Sequence, residues 1–122
     1  MQTSHDFYLP ILGENYKIST VSEDRFPKHL TGACDITTKE IVVVNLQPEY
    51  IINKNLRHEI VHAMLEESGL GAECDFANEE LVDWIAKQAP KMFRIFCQAK
   101  AFSKQEMQSF SNAFVAENKM VR

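Results

Sequence analysis

Residues 56–64 read Leu-Arg-His-Glu-Ile-Val-His-Ala-Met, which sets His58 and His62 four apart with Glu59 between them. On an α-helix four residues advance one turn and about 40° of rotation, so both imidazoles can reach one metal ion. Imidazole nitrogens at that spacing suit tetrahedral zinc. Glu59 is turned toward the same side, where its carboxylate is placed less as a ligand than as a neighbour of the metal-bound water. Zinc lowers the pKa of that water toward neutrality, and Glu59 can take its proton as the oxygen attacks a carbonyl, then pass it to a leaving amine. That chemistry is peptide-bond hydrolysis. Without a metal or partner, a buried carboxylate beside two histidines would be costly.

Two histidines leave a zinc site one protein ligand short, and Asn78-Glu79-Glu80-Leu81-Val82-Asp83 offers candidates. On a helical wheel for residues 75–89 the apolar arc holds Leu81, Val82, Ile85, Ala86 and Ala89. Glu79 and Asp83 sit together at its edge, while Glu80 projects with Lys87 toward solvent. Glu79 is therefore the predicted third ligand. Asp83, one turn later, is placed to accept a hydrogen bond from the non-coordinating nitrogen of a ligand histidine and so fix its tautomer. A donor for the tetrahedral oxyanion is harder to find. Tyr50 and His29 are the candidates, and Arg57 points away from the metal arc.

The elements that must carry these residues follow from patterning. Residues 7–12, 16–21 and 41–46 are rich in β-branched and aromatic side chains, with Gly13-Glu14-Asn15 as a turn between the first two. Residues 31–36 can pair with 41–46 across a four-residue loop, giving a small, mostly antiparallel sheet. After Pro48 the spacing becomes helical. Leu56, Ile60, Ala63 and Met64 form one apolar wall and Val61 and Leu65 another, so the motif helix is expected to be buried. It starts within residues 48–54, with Pro48 suited to the first position and Asn53 to the cap, and ends at Ser68-Gly69. Asp75 can cap a second helix that Pro90 stops. A third helix spans about 91–100, and a fourth opens at Ser103 with Glu106 as a capping box and Phe102 with Met107 as a hydrophobic staple. The row Met107, Phe110 and Phe114 is expected in the core.

His58-Glu59-Ile60-Val61-His62 followed by Asn78-Glu79-x-x-x-Asp83 resembles the gluzincins, whose thermolysin-type members carry HExxH and a downstream NExxxD. The preceding hairpin, the compact size and the Ile85-Ala86 and Ala89-Pro90 that follow are also similar to small phage and prophage metallopeptidases of the ImmA/IrrE type, with Val61 where that type commonly has Gly. The resemblance implies one Zn2+ per chain on His58, His62 and Glu79, Glu59 as base, and Asp83 supporting a ligand. It also implies an α+β minimal zincin-like fold, with the sheet packed on an active-site helix and further helices beside it.

Composition bounds the alternatives. With 122 residues and 45% hydrophobic content the chain is expected to form a single domain, residues 1–122, that folds without staples. Cys34, Cys74 and Cys97 are odd in number and widely spaced, which fits buried reduced thiols of a cytosol. A net charge of −4 argues against a nucleic-acid partner, although the chain from Lys87 onward is basic. The longest aliphatic run, residues 41–44, is too short to enter a membrane, and residues 1–10 show no secretory pattern, so a cytoplasmic protein is expected. Two functions fit. One is a zinc peptidase, of phage or mobile-element origin, acting on a protein or peptide substrate in the host cytosol. The other is a binding module that keeps the zincin scaffold and docks onto a host defence protein without proteolysis. Retention of Glu59 separates them, since a scaffold needs zinc ligands but no base.

Overall fold

A computed structural model describes residues 6–71 and 78–121. The elements are β1 (Asp6–Ile11), β2 (Glu14–Val21), a 3-10 turn (Glu23–Arg25), β3 (Gly32–Asp35), β4 (Glu40–Val44), α1 (Glu49–Glu67), α2 (Glu79–Gln98) and α3 (Lys104–Val121). The protein is α+β, as patterning predicts. The chain gathers into two compact units, one up to Lys87 and one from Gln88 onward.

In the first unit the four strands lie in the order β1-β2-β4-β3. Two pairings, β1 with β2 and β3 with β4, are antiparallel, but β2 pairs with β4 in parallel, so the sheet is mixed. A parallel pair needs a long crossover, and here that connection contains β3 itself. β4 thus slots between β2 and β3, and β3 becomes an edge strand. The first turn is tighter than expected. Leu12 and Gly13 both take positive φ, 49° and 92°, and Glu14 already belongs to β2. Two such residues make the two-residue hairpin turn whose twist matches its strands. At the other hairpin the Asp35 carboxylate accepts the amides of Thr37 and Thr38 at 2.9 and 3.1 Å, which orders the loop.

Alternation on the central strands puts Tyr16, Ile18, Ile41 and Val43 on one buried face. α1 covers that face with Ile52, Leu56, Ile60 and Ala63. The helix is buried less widely than two apolar walls predict. Its fully buried residues are Asn55, Glu59 and Ala63, at i, i+4 and i+8, and Met64 is exposed. One sheet covers one stripe of a helix, and Ala63 lies at 0% exposure within it. Pro48 stands in extended conformation as the residue before α1, and Asn53 lies within the helix, so neither takes its predicted position.

Two helix boundaries differ from expectation. Asp75, the predicted cap of α2, and Cys74 lie outside the described residues; the cap is Asn78, whose Oδ1 accepts the Leu81 amide at 2.7 Å. The break at Pro90 does not occur, and α2 continues to Gln98, merging the predicted second and third helices. Proline lacks the N–H that would bond the carbonyl four residues earlier, here Ala86. That carbonyl accepts from Arg57 Nε instead, at 2.8 Å.

In the second unit the capping box forms as predicted, Glu106 N donating to Ser103 Oγ at 3.0 Å and Ser103 N to Glu106 Oε1 at 2.7 Å. Phe102 stacks with Phe93, Phe96 and Phe110, with ring centroids 4.9–5.8 Å apart. The predicted core row is open, however, with Met107, Phe110 and Phe114 exposed by 42%, 37% and 68%. Within this unit α3 has only the end of α2 to pack on, and one helix covers a narrow seam of another.

Candidate metal centre

α1 delivers both histidines because its buried stripe fixes its rotation. With Ala63 and Glu59 against the sheet, His58 and His62 flank that stripe with side chains 18% and 24% exposed. Their rings stand edge to face, centroids 4.9 Å apart. The third group comes from the first turn of α2, which Asn78 caps. Glu79 reaches back across the histidines, with Oε1 2.9 Å from His58 Nε2 and Oε2 3.0 Å from His62 Nε2.

These three side chains offer ligand atoms that all lie within 4.8 Å of one another. A tetrahedral zinc with ligands at about 2.0–2.1 Å holds its donors roughly 3.3 Å apart, close to the 2.9 and 3.0 Å between Glu79 and the two histidines. The donor set, two imidazoles and one carboxylate, is also the open kind that leaves a position for water. The residues therefore fit the ion. Burial pushes the Glu79 carboxyl up, but His62 and His58 together outweigh it and hold the group below the ordinary carboxylate range. Glu79 and Glu80 are both exposed, and it is Glu79 that pairs with the two histidines.

The other nitrogen of His58 has its own partner. Asp83 Oδ1 stands 3.4 Å from His58 Nδ1, ion-pair reach though longer than a good hydrogen bond. The same carboxylate takes Lys87 at 2.8 Å and Lys54 at 3.6 Å. With Lys87 first among the causes, these groups hold the Asp83 carboxyl below its usual range. A proton on Nδ1 facing Asp83 leaves the Nε2 lone pair for a metal.

Glu59 is 8% exposed, the one buried carboxylate among the described residues. Burial raises its carboxyl above the usual range, and the nearby histidines oppose that shift without cancelling it. It fits because Gly32 of β3 has no side chain; a Cβ there would lie 3.2 Å from Glu59 Oε2.

His58, Glu59, His62 and Glu79 open onto a cavity of about 650 Å³ between α1 and β3. Edge strand β3 forms its far wall. Val44 N donates to Thr31 O at 3.0 Å, and the alternation of an antiparallel ladder then directs the backbone N–H and C=O of Gly32 and Cys34 away from β4. His29 lines the cavity, but Tyr50 does not. Tyr50 sits in the first turn of α1, 71% exposed, eight residues or about 12 Å along the axis from His58. Of the two predicted oxyanion donors, the structure places His29 on the cavity wall and Tyr50 away from it. Cys34, predicted to be a buried thiol, is only half-buried; its thiol is pushed up to about 11 by burial and by Glu59 beside it. Cys97 is also half-buried and free.

Sequence reasoning missed Gly32, the Arg57 bond to Ala86 and Glu66, which lines the cavity one turn past His62. Glu66 could have been found by extending the i, i+4 series from His58 and His62. Gly32 carried no such signal. No protein-family model, curated protein or solved structure matches the chain, so the reading of the site rests on its own geometry. No helix among the described residues is long and apolar enough to cross a membrane.

Proposed function

We propose that this chain is a zinc-dependent peptidase of zincin type, phage or mobile-element encoded, that cuts a protein or peptide substrate in the host cytosol. The observation that carries the reading is the convergence of His58, His62 and Glu79 within 4.8 Å, beside a buried Glu59. When bound, zinc would acidify a water and polarise the substrate carbonyl. The protein's own residues supply the rest. Asp83 holds the His58 tautomer. Glu59, buried beside the two histidines, takes a proton from water and returns it to the departing amine. The outward backbone groups of Gly32 and Cys34 can pair with an extended peptide and hold its carbonyl in the cleft.

A second reading is favoured by the open apolar row on α3, led by Phe114 at 68% exposure. It makes the chain a module that docks onto a host protein through that row without cutting it. The two separate by experiment. Purified protein is incubated with a mixed peptide library and new termini are read by mass spectrometry. Cleavage that a zinc chelator stops and added Zn2+ restores is expected of the peptidase. No new termini in the zinc-loaded protein would overturn it in favour of docking.

A further inference from the structure

The cleft wall one turn past the metal ligands carries a charge that hydrolysis does not use. Glu66 follows His62 by four residues on α1, about 6 Å further along the same helix face, and lines the same cavity. It is half-buried, and among the described residues no hydrogen bond or ion pair engages its carboxylate. Its neighbour Glu67 holds Lys39, and no lysine or arginine is among the described residues that line the cavity. Gly71 closes over it without crowding, whereas a Cβ on Gly71 would stand 2.1 Å from Glu66 Oε1 and force the carboxylate to move. Ile36 and Leu65 supply apolar wall to the same cavity.

A carboxylate that no hydrogen bond or ion pair engages among the described residues, in a cavity also lined by Ile36 and Leu65, matches a side chain with an aliphatic stem and a cationic tip. A peptide extended along β3 advances about 3.3 Å per residue and repeats its facing side every second residue. The side chain two residues from the reacting carbonyl therefore lies about 6.6 Å away, close to the offset of about 6 Å along α1 between Glu66 and the nearer ligand, His62. We propose that Glu66 is a specificity-determining residue and that the substrate carries lysine or arginine two residues from the bond to be cut. This inference rests on the peptidase reading above.

The test uses the zinc-loaded full chain and a random octapeptide library, with cut sites read by mass spectrometry. The wild-type protein is expected to enrich Lys and Arg at one position near the cut by about tenfold, the scale of a charge-assisted contact. Glu66→Gln should lower that enrichment below about twofold while the same bonds remain cleavable, and Glu66→Lys should favour Asp and Glu instead. Binding gives a readout independent of turnover. In a Glu59→Gln background, calorimetry should show the best-cut peptide losing about tenfold in affinity when its lysine is replaced by norleucine, and almost nothing when Glu66→Gln is also present. Cleavage without basic enrichment, or enrichment that Glu66→Gln leaves intact, overturns the role of Glu66 and leaves the peptidase reading standing. Absence of any cleavage overturns both.

Discussion

Glu59 and Gly32 are packed so closely that a single methyl group would disturb both the candidate base and the sheet beside it. The Cβ of an alanine at 32 would stand 3.2 Å from Glu59 Oε2 and 2.9 Å from the carbonyl oxygen of Val42. A side-chain tip can swing aside, but a backbone oxygen in the β3–β4 hairpin cannot move without the strand. Gly32→Ala is therefore expected to destabilise the protein by roughly 1–3 kcal/mol, the range for overpacking a filled interior. Urea unfolding measures it. An unchanged midpoint would mean that the hairpin yields freely.

The Glu79 carboxylate, though exposed, spans His58 and His62, whereas Glu80, one residue on, is turned about 100° round α2. Glu79→Ala should abolish zinc retention through dialysis, since it removes one of three protein ligands. Glu80→Ala should retain close to one zinc per chain. Equal loss in the two variants would sink the ligand assignment.

How far this site could be read without coordinates depended on whether its determinants were local. His58, Glu59 and His62 share one helix, and four-residue spacing fixes their mutual placement whatever surrounds them. Glu79 followed from the wheel of a second helix, because its edge position depends only on the apolar arc of Val82 and Ala86. The parallel pairing of β2 with β4 was not legible, since nothing local says which strand a crossover brings home. It is that pairing which makes β3 an edge and brings Gly32 to Glu59. Pro90 misled for the same reason. Its missing N–H is local, but the Arg57 bond that satisfies Ala86 comes from a helix 29 residues earlier in the chain. Exposure of Met107, Phe110 and Phe114 was hidden because helical spacing reveals an apolar stripe but not whether anything covers it.

Asp83 makes no claim on the metal itself, yet it faces the other nitrogen of His58 at 3.4 Å. Asp83→Ala should weaken zinc affinity by roughly 10–100-fold, the usual effect of losing a carboxylate behind a ligand histidine. Lys54 and Lys87 lose their partner in the same variant, so Asp83→Asn, which keeps a hydrogen-bond acceptor toward His58, should fall between the two. Competition with a chromogenic chelator reads the affinities. Wild-type affinity in Asp83→Ala would show that the long contact does not orient the ring.

Away from the metal, Glu67 at the end of α1 receives the Tyr16 hydroxyl at 2.7 Å and the Lys39 ammonium, tying the β3–β4 loop and the core tyrosine to the helix. Lys39 first, then Tyr16, hold the Glu67 carboxyl below its ordinary value. A carboxyl lowered on folding stabilises the protein above its unfolded pKa of about 4.3 and loses that contribution as pH falls through the folded value. Thermal stability should thus drop between about pH 5 and 3. In Glu67→Gln the drop should be shallower but not absent, because Asp35 is lowered too, by the Thr38 and Thr37 amides. Parallel melting curves for the two proteins would reject this link.

Glu59→Gln separates holding the metal from using it. Burial already disfavours a charge at this position, and the amide is neutral and of nearly the same shape. Fold and melting temperature should therefore be retained or slightly raised. Zinc occupancy should also persist, since His58, His62 and Glu79 are untouched. An amide cannot take a proton from water, so peptide hydrolysis should fall by ~10²-fold or more. The variant must be compared with wild type in three measurements: zinc content, melting temperature and cleavage rate. Loss of all three together would mean that Glu59 is a structural residue of α1 where it packs on β3. Full cleavage with zinc and stability retained would remove Glu59 from the chemistry, leaving the bond-breaking proton transfer to another group on the cavity wall, such as His29.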